Sequence, residues 1–465
     1  MGEAVEPAAA IPGRPVPWGI ALLGIASGSI LIPLNSTMLA VALPSIMSEF
    51  HVGAGTVSWL VTIYLATMAL ALQAGGSLGD RFGHRRMFLL GVAGFAATSL
   101  LGAVARSFPL LIAARVLQAV SGASIGPNAA SLVRAFAPED RRGGVFGLFD
   151  MLISTSAAMG PFVGGLLVSG FGWRSLFLIV VPFALIAALL VTAVVPRARP
   201  VRAARPALDL PGLAFLSAGL LALLVALFAA RAGGRWERWA LAVPVLAMLF
   251  VRRELRAPVP AVDVRLFRVR PFTAAVLGVL GATVILHATM ILVPMLTQNL
   301  LRASASASGA ALLGLSVLGA VVAPFGGRLS DRVGRRAPVI VGSLCMAAGL
   351  AALWVWTDRA TTLHVGVLLG VLGVGFGLSG SPRQASAIES VPETASGMAA
   401  GTYYTGRYIG GVLGASLAGT LLGEAVTQRA IAGAFGALTL VALAVAVVSL
   451  GLKGAPYAGN SPPSG

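Results

Sequence analysis

Five ionisable side chains sit inside long apolar runs of this chain: Arg115, Asp150, His287, Arg383 and Arg407. A charge at the centre of a membrane span costs about 2.5–3.5 kcal/mol on insertion scales, so it is seldom placed there without a task. Two kinds of chemistry fit. An acid or imidazole shielded from water can take up and release a proton, and a guanidinium can hold an anion or bond backbone carbonyls. Asp150 lies about seven residues into its run, roughly 10 Å deep at 1.5 Å per residue. It is either a proton carrier or the partner of an Arg near the mouth. His287, in GATVILHATMILVP, can titrate, bind substrate or serve as a hydrogen-bonded structural residue. Arg115 is either functional or a structural Arg bonded to backbone or to Gln118. Arg407 and Arg383 can line an anion-binding cavity with Arg115. Alternatively Arg407 pairs with Asp150 or bonds a carbonyl, and Arg383 snorkels to the aqueous boundary.

The elements that must position these groups are membrane helices. The 465 residues are 57% hydrophobic and 11% charged, with mean hydropathy +0.91, where a soluble domain carries about 25% charged residues. A span needs about 20 apolar residues. Runs of that kind cover about 17–42, 55–77, 87–106, 109–133, 143–169, 174–195, 211–231, 237–251, 271–298, 307–327, 338–356, 362–388, 395–422 and 431–452. The expected fold is therefore an all-α polytopic membrane protein of about fourteen spans. It divides into a tail (1–16), a first six-helix bundle (17–195), a linker carrying an inserted hairpin (196–270), a second six-helix bundle (271–452) and a tail (453–465). Even span count and basic alternate loops put both tails in the cytoplasm of a cell inner membrane.

One basic turn occurs twice. GGSLGDRFGHRR (75–86) and GGRLSDRVGRRA (326–337) start 251 residues apart, an offset longer than six spans need by about one hairpin. Gly76, Gly83 and Gly334 permit tight connections, and Asp80 and Asp331 can bond a nearby Arg or face a helix N-terminus. Arg81, Arg85 and Arg332 complete the pattern. A plain topology signal would explain one copy; two aligned copies favour a shared gating role.

The net charge of +17 is gathered in such turns rather than on a nucleic-acid-binding face. Cys345 is the one cysteine, and four scattered His make no convergent catalytic or metal constellation. The chain is expected to be no enzyme, to need no cofactor or metal, to bind no nucleic acid, and to have a small-molecule substrate, protons and the lipid bilayer as partners. The fold can work as a monomer.

On GGSLGDRFGHRR, on LIAARVLQAVSGASIGP (111–127) and on MGPFVGG (159–165), the chain resembles the major facilitator superfamily. The inserted hairpin, PAVDVRLFRVRPF (260–272) and RYIGGVLGASLAG (407–419) resemble its fourteen-span drug:proton antiporter branch, the EmrB/QacA-like proteins. The resemblance covers nearly the whole chain. It implies two six-helix bundles that export hydrophobic or amphipathic compounds by alternating access, coupled to protons. It implies that Asp80 meets the start of the 395–422 span and, by the repeat, that Asp331 meets the start of the 143–169 span. It implies roles for Arg115 and Gln118, and an antiporter motif of Gly160, Pro161, Gly164 and Gly165 packed on the 307–327 span. Asn35, Tyr64, Gln118, Arg383, Tyr404 and Arg407 are the substrate-binding candidates; Asp150, Arg115 and His287 are those for proton coupling. In PLNSTMLAVALP (33–44) the branch's usual acid is replaced by Asn35, which cannot titrate. This motivates the alternative of a small organic anion moved by uptake or facilitated export without the usual proton coupling.

Overall fold

The structure is a computed structural model that describes residues 18–136, 142–195, 210–231, 236–257, 264–391, 396–423 and 425–454. The proposed tail 1–16 and all of the tail 453–465 except Lys453 and Gly454 lie outside the described residues, as do linker positions 196–209 and 258–263. Among the described residues every regular element is a helix. The helices are α1 (Trp18–Ser29), α2 (Leu31–Phe50), α3 (Ala54–Val57), α4 (Trp59–Phe82), α5 (His84–Ala103), α6 (Phe108–Phe136), α7 (Arg142–Phe171), α8 (Ser175–Leu178) and α9 (Val180–Val194). They continue with α10 (Leu210–Arg231), α11 (Glu237–Arg256), α12 (Arg270–Pro294), α13 (Ala305–Val333), α14 (Arg336–Trp356), α15 (Thr362–Glu389), α16 (Ser396–Leu422) and α17 (Gln428–Val448).

Several boundaries differ from the hydropathy reading, and two of the differences lie at prolines. The first run continues past Pro44 to Phe50, giving a 33-residue apolar stretch from Trp18. The sixth run is split at Ile179, between α8 and α9. Pro182 follows within a turn, and its ring removes the donor that the Leu178 carbonyl would use in a continuous helix. After Pro294, α12 passes into a π-helical turn over Met295–Leu300.

Eleven stretches among the described residues are long and apolar enough to cross a membrane. The sequence reading expected about fourteen. The other three helices are α10, α11 and α16. In α10 the apolar stretch is Ala214–Leu223. Glu237, Arg238, Arg252, Arg253, Glu254 and Arg256 crowd both ends of α11. Gly, Thr and Tyr dilute α16, which runs 27 residues packed between α12 and α4.

The repeated turn has the same geometry twice. Gly83 and Gly334 take φ of +94° and +84°, a region that costs glycine little and other residues much. The helices leading into the two turns are also packed alike. A Cβ on Gly75 of α4 would strike the Ala123 carbonyl and the Ser124 backbone of α6, and one on Gly326 of α13 the Gly377 carbonyl and Leu378 backbone of α15. The α4–α6 and α13–α15 pairs are therefore structural repeats. The match places Leu369 of α15 opposite Arg115 of α6 in the repeat, both fully buried.

Helices before and after the hairpin meet at one end. Gly55 N–H donates to Gly423 O (2.7 Å), Gln298 Nε2 to Val41 O (2.9 Å) and Ser306 N–H to Ser169 Oγ (3.0 Å). All six residues lie away from the arginine-rich turns. On α16, Gly411 approaches Leu65 of α4. Arg407 and Tyr404 fall one and two turns nearer the arginine-rich end on that face, and both are exposed. So the α16 face that touches α4 at Gly411 is open at Arg407 and Tyr404, toward the arginine-rich end. The hairpin helix α10 packs against both.

Candidate functional site

In the first half, Arg115 is the hub of a buried network. Its side chain is fully buried on α6. Nη1 donates to Asn35 Oδ1 at 2.6 Å and to Gln118 Oε1 at 2.5 Å, and Nε donates to the Leu60 carbonyl at 3.3 Å. The guanidinium lies 4.0 Å from the Tyr64 ring centroid, a cation–π contact made strong by burial. Gln118 Nε2 passes the chain on to Ser99 Oγ (2.7 Å), and Asn35 Nδ2 reaches the Leu176 carbonyl (3.4 Å). Helices α2, α4, α5, α6 and α8 thus converge on one charge, and every partner is neutral. Arg115 Nη2 and Tyr64 Oη are buried without a hydrogen-bond partner.

The i, i+3 spacing of Arg115 and Gln118 made their bond legible in the sequence. Nothing local announced Ser99 or the Leu60 and Leu176 carbonyls, which come from other helices. Asn35, Tyr64 and Gln118, expected to bind substrate, are nearly fully buried and face one another.

In the second half, His287 is half-buried on α12, with Nδ1 3.0 Å from the Thr283 carbonyl. A carbonyl can only accept, so Nδ1 carries the hydrogen and Nε2 keeps its lone pair when the ring is neutral. Arg407 on α16 is its electrostatic neighbour. Tyr403 is buried and Tyr404 exposed, with ring centroids 6.1 Å apart in a T-shaped pair, and Gln384 Nε2 donates to Tyr404 Oη at 3.2 Å. Arg383 is 2% exposed. It does not snorkel: the side chain turns inward against Gly278 of α12, where an added Cβ would lie 3.0 Å from Nε. Three helices enclose it, so its head is kept from the aqueous boundary.

The antiporter-motif glycines divide between two neighbours. Gly160 and Gly164 abut α2, at Thr37 and Met38, whereas Gly165 abuts the Ala305 carbonyl and Ser306 at the start of α13. The Pro161 carbonyl in turn lies against Gly309 of α13. Pro161 sits inside α7. The sequence reading put all of these glycines against one partner; helical spacing of four instead places Gly160 and Gly164 on one face and Gly165 on the next.

At the arginine-rich end, Gly76 lies beside Pro127 and Arg81 covers the Phe82 ring at 5.2 Å. Arg85 Nη2 donates to the Thr192 carbonyl (3.1 Å), and His84 Nδ1 is 2.8 Å from Asn128 Oδ1. Asp331 is 67% exposed and pairs with Arg335 at 2.6 Å, one turn on; Arg332 is exposed. Arg335 also bonds Ser330 Oγ (2.5 Å) and grips both Glu389 oxygens (2.6 and 3.1 Å). Chiefly the Glu389 bond, working against burial, raises the Arg335 guanidinium above its ordinary value. The expected Asp331 contact with the start of α7 concerns first-turn side chains outside the described residues, as are those of Asp80 and Asp150.

Among the described residues no three His, Cys, Asp or Glu gather as metal ligands. The polar constellations hold charges and position helices.

The profile of the Major Facilitator Superfamily matches residues 25–415 and 275–464. The "Tetracenomycin C resistance and export protein" of Streptomyces glaucescens is 33% identical over 437 residues, covering 91% of this chain and 79% of that protein. The "Multidrug efflux pump LfrA" of Mycolicibacterium smegmatis is 31% identical over 429 residues, covering 90% and 84%. The solved peptide transporter POT in complex with sulfate superposes with a TM-score of 0.69 at 16% identity, over 96% of this chain and 95% of that one. At that identity the likeness shows the fold alone. Shared sequence along nearly the whole length, a superposable helical fold and transporters throughout these matches lead to one statement: the chain belongs to the Major Facilitator Superfamily and is a multi-pass membrane transporter, not an enzyme.

Proposed function

We propose that the protein is a secondary active exporter of hydrophobic or amphipathic compounds, coupled to protons, in the inner membrane of a bacterium. It belongs on this reading to the fourteen-span drug:proton antiporter branch, with two six-helix bundles, an inserted transmembrane hairpin and both termini cytoplasmic. The observation that carries the reading is the contact of α4 and α16 at Gly411 and Leu65 together with the exposure of Arg407 and Tyr404 on the same α16 face. Two bundles that meet at one end only and can rock about their seam give alternating access. The tetracenomycin exporter and the efflux pump LfrA, by their names, lend support. Asp150, Arg115 and His287 are the coupling candidates; His287 Nε2 is a base whose ring orientation Thr283 fixes.

A second reading is favoured by the neutral surroundings of Arg115. With Asn35 where an acid could sit, the first-half network has no titrating partner for the guanidinium. Facilitated movement of a small organic anion, without proton coupling, fits that arrangement.

Flux through purified protein in proteoliposomes, with and without a pH gradient, separates the two. Gradient-driven export is expected, and Asp150→Asn should abolish the coupling. Flux indifferent to the gradient rejects antiport, and full coupling in the Asp150 variant rejects that residue as the carrier.

A further inference from the structure

We propose that Arg383 is the seat for an anionic group, above all the carboxylate of an aromatic compound, carried by this transporter. The inference rests on the transport reading and adds the substrate class to it. Arg383 Nε and Nη2 are both buried and both lack a hydrogen-bond partner. These two nitrogens share one edge of the guanidinium plane. Their N–H bonds point side by side, which is the geometry that grips both oxygens of a carboxylate.

Among the described residues no acid is bonded to that edge. Among the described residues, α12, α15 and α16 carry one carboxylate, Glu389, and Arg335 holds both of its oxygens. A buried charge without a counter-charge is unfavourable, and the cost is relieved when a bound anion provides one.

The surroundings favour an aromatic anion over a bare ion. Tyr403, whose ring feels the Arg383 charge, stands in a T-shaped pair with Tyr404. Tyr404 and Arg407 are exposed on the α16 face that meets α4 at Gly411, on its arginine-rich side. Gly278 leaves the Nε side of the guanidinium free of a side chain, since a Cβ there would come within 3.0 Å of Nε. An aromatic ring against the tyrosines, with its carboxylate on the Nε–Nη2 edge, uses all of these groups at once.

The test is binding by the purified full chain of paired probes: salicylate and 1-naphthoate against their neutral amides, salicylamide and 1-naphthamide. At least one carboxylate should bind at least about tenfold tighter than its amide, as loss of a charged bidentate contact implies. Arg383→Gln should remove that preference and leave amide affinity within about twofold. Equal binding of acid and amide, no binding of either carboxylate, or an undiminished preference in Arg383→Gln overturns the proposal. If that variant does not elute as a folded protein, Gly278→Ala takes its place. The added methyl crowds Nε and should weaken carboxylate binding alone; an unchanged acid-to-amide ratio then overturns the proposal. Ethidium efflux by wild-type proteoliposomes separates the two levels. Ethidium movement with no carboxylate binding rejects the anion seat and leaves the transporter reading standing. Carboxylate binding with no movement of any solute supports the seat and rejects the export reading.

Discussion

Arg115 and Arg383 are both arginines inside apolar helices, and the sequence gives them the same weight. Their surroundings make them different devices. Arg115 is knotted to Asn35, Gln118 and the Leu60 carbonyl and covers Tyr64. Arg383 has two unbonded nitrogens on one edge. A prediction follows from the knot. Arg115→Ala orphans two buried side-chain acceptors, Asn35 Oδ1 and Gln118 Oε1, each costing about 1–3 kcal/mol when left unmade; the Leu60 carbonyl keeps its helical bond. Asn35→Ala removes one of the two and frees one guanidinium donor. Thermal unfolding in detergent should therefore show a fall of several degrees for Arg115→Ala and a smaller one for Asn35→Ala. Equal midpoints for the two variants and the wild type would mean that the network contributes nothing to stability. Snorkelling was a reasonable expectation for Arg383, six residues from the end of its helix. It fails because α12 and α16 close over the side chain, and no property of the α15 sequence reports what stands opposite it.

Each helix owes its position to a few close approaches. The antiporter-motif turn of α7 is wedged between α2 and α13, with Gly165 against the Ala305 carbonyl and Gly309 against the Pro161 carbonyl. Gly165→Leu forces a side chain into backbone, an overpacking worth about 1–3 kcal/mol. It should part α7 from α13 at the far end, where the two halves otherwise seal. A faster collapse of an imposed pH gradient in proteoliposomes is the expected readout; a leak rate equal to wild type would show that the seam is not a seal. That MGPFVGG would be a packing surface was legible, because glycines four apart share a helix face. That one face receives α2 and the adjacent one α13 was not, since the choice depends on the rotation of α7 in the bundle. The hairpin shows the opposite limit. Its two helices were visible as apolar runs, but α11 has charged ends that leave only a short apolar middle.

At the scale of the whole molecule, hydrogen bonds across the halves at the far end, among the described residues, include Gly55 to Gly423, Gln298 to Val41 and Ser306 to Ser169. The Gln298 bond is made from a π-helical turn, where backbone hydrogen bonding is already irregular. Gln298→Leu keeps the bulk and removes the donor to Val41, a contact worth about 0.5–1.5 kcal/mol. Spin labels at Arg106 and Asp358, both exposed near that end, should report a larger population at long distance in the variant. An unchanged distance distribution would show that the bond does not hold the gate. Sequence by itself determined that this is a duplicated bundle of membrane helices. Apolar run length and the Gly–Asp–Arg–Gly turn are local properties, readable along one strand of chain. Tertiary structure alone decided which charges are satisfied. Arg115 finds Asn35 80 residues away, and Arg335 finds Glu389 54 residues away. Arg383, between three helices, finds no acid among the described residues. The reason is that a partner across a bundle is set by the register and rotation of separate helices. Side chains all along their length settle these together, and no single segment encodes them.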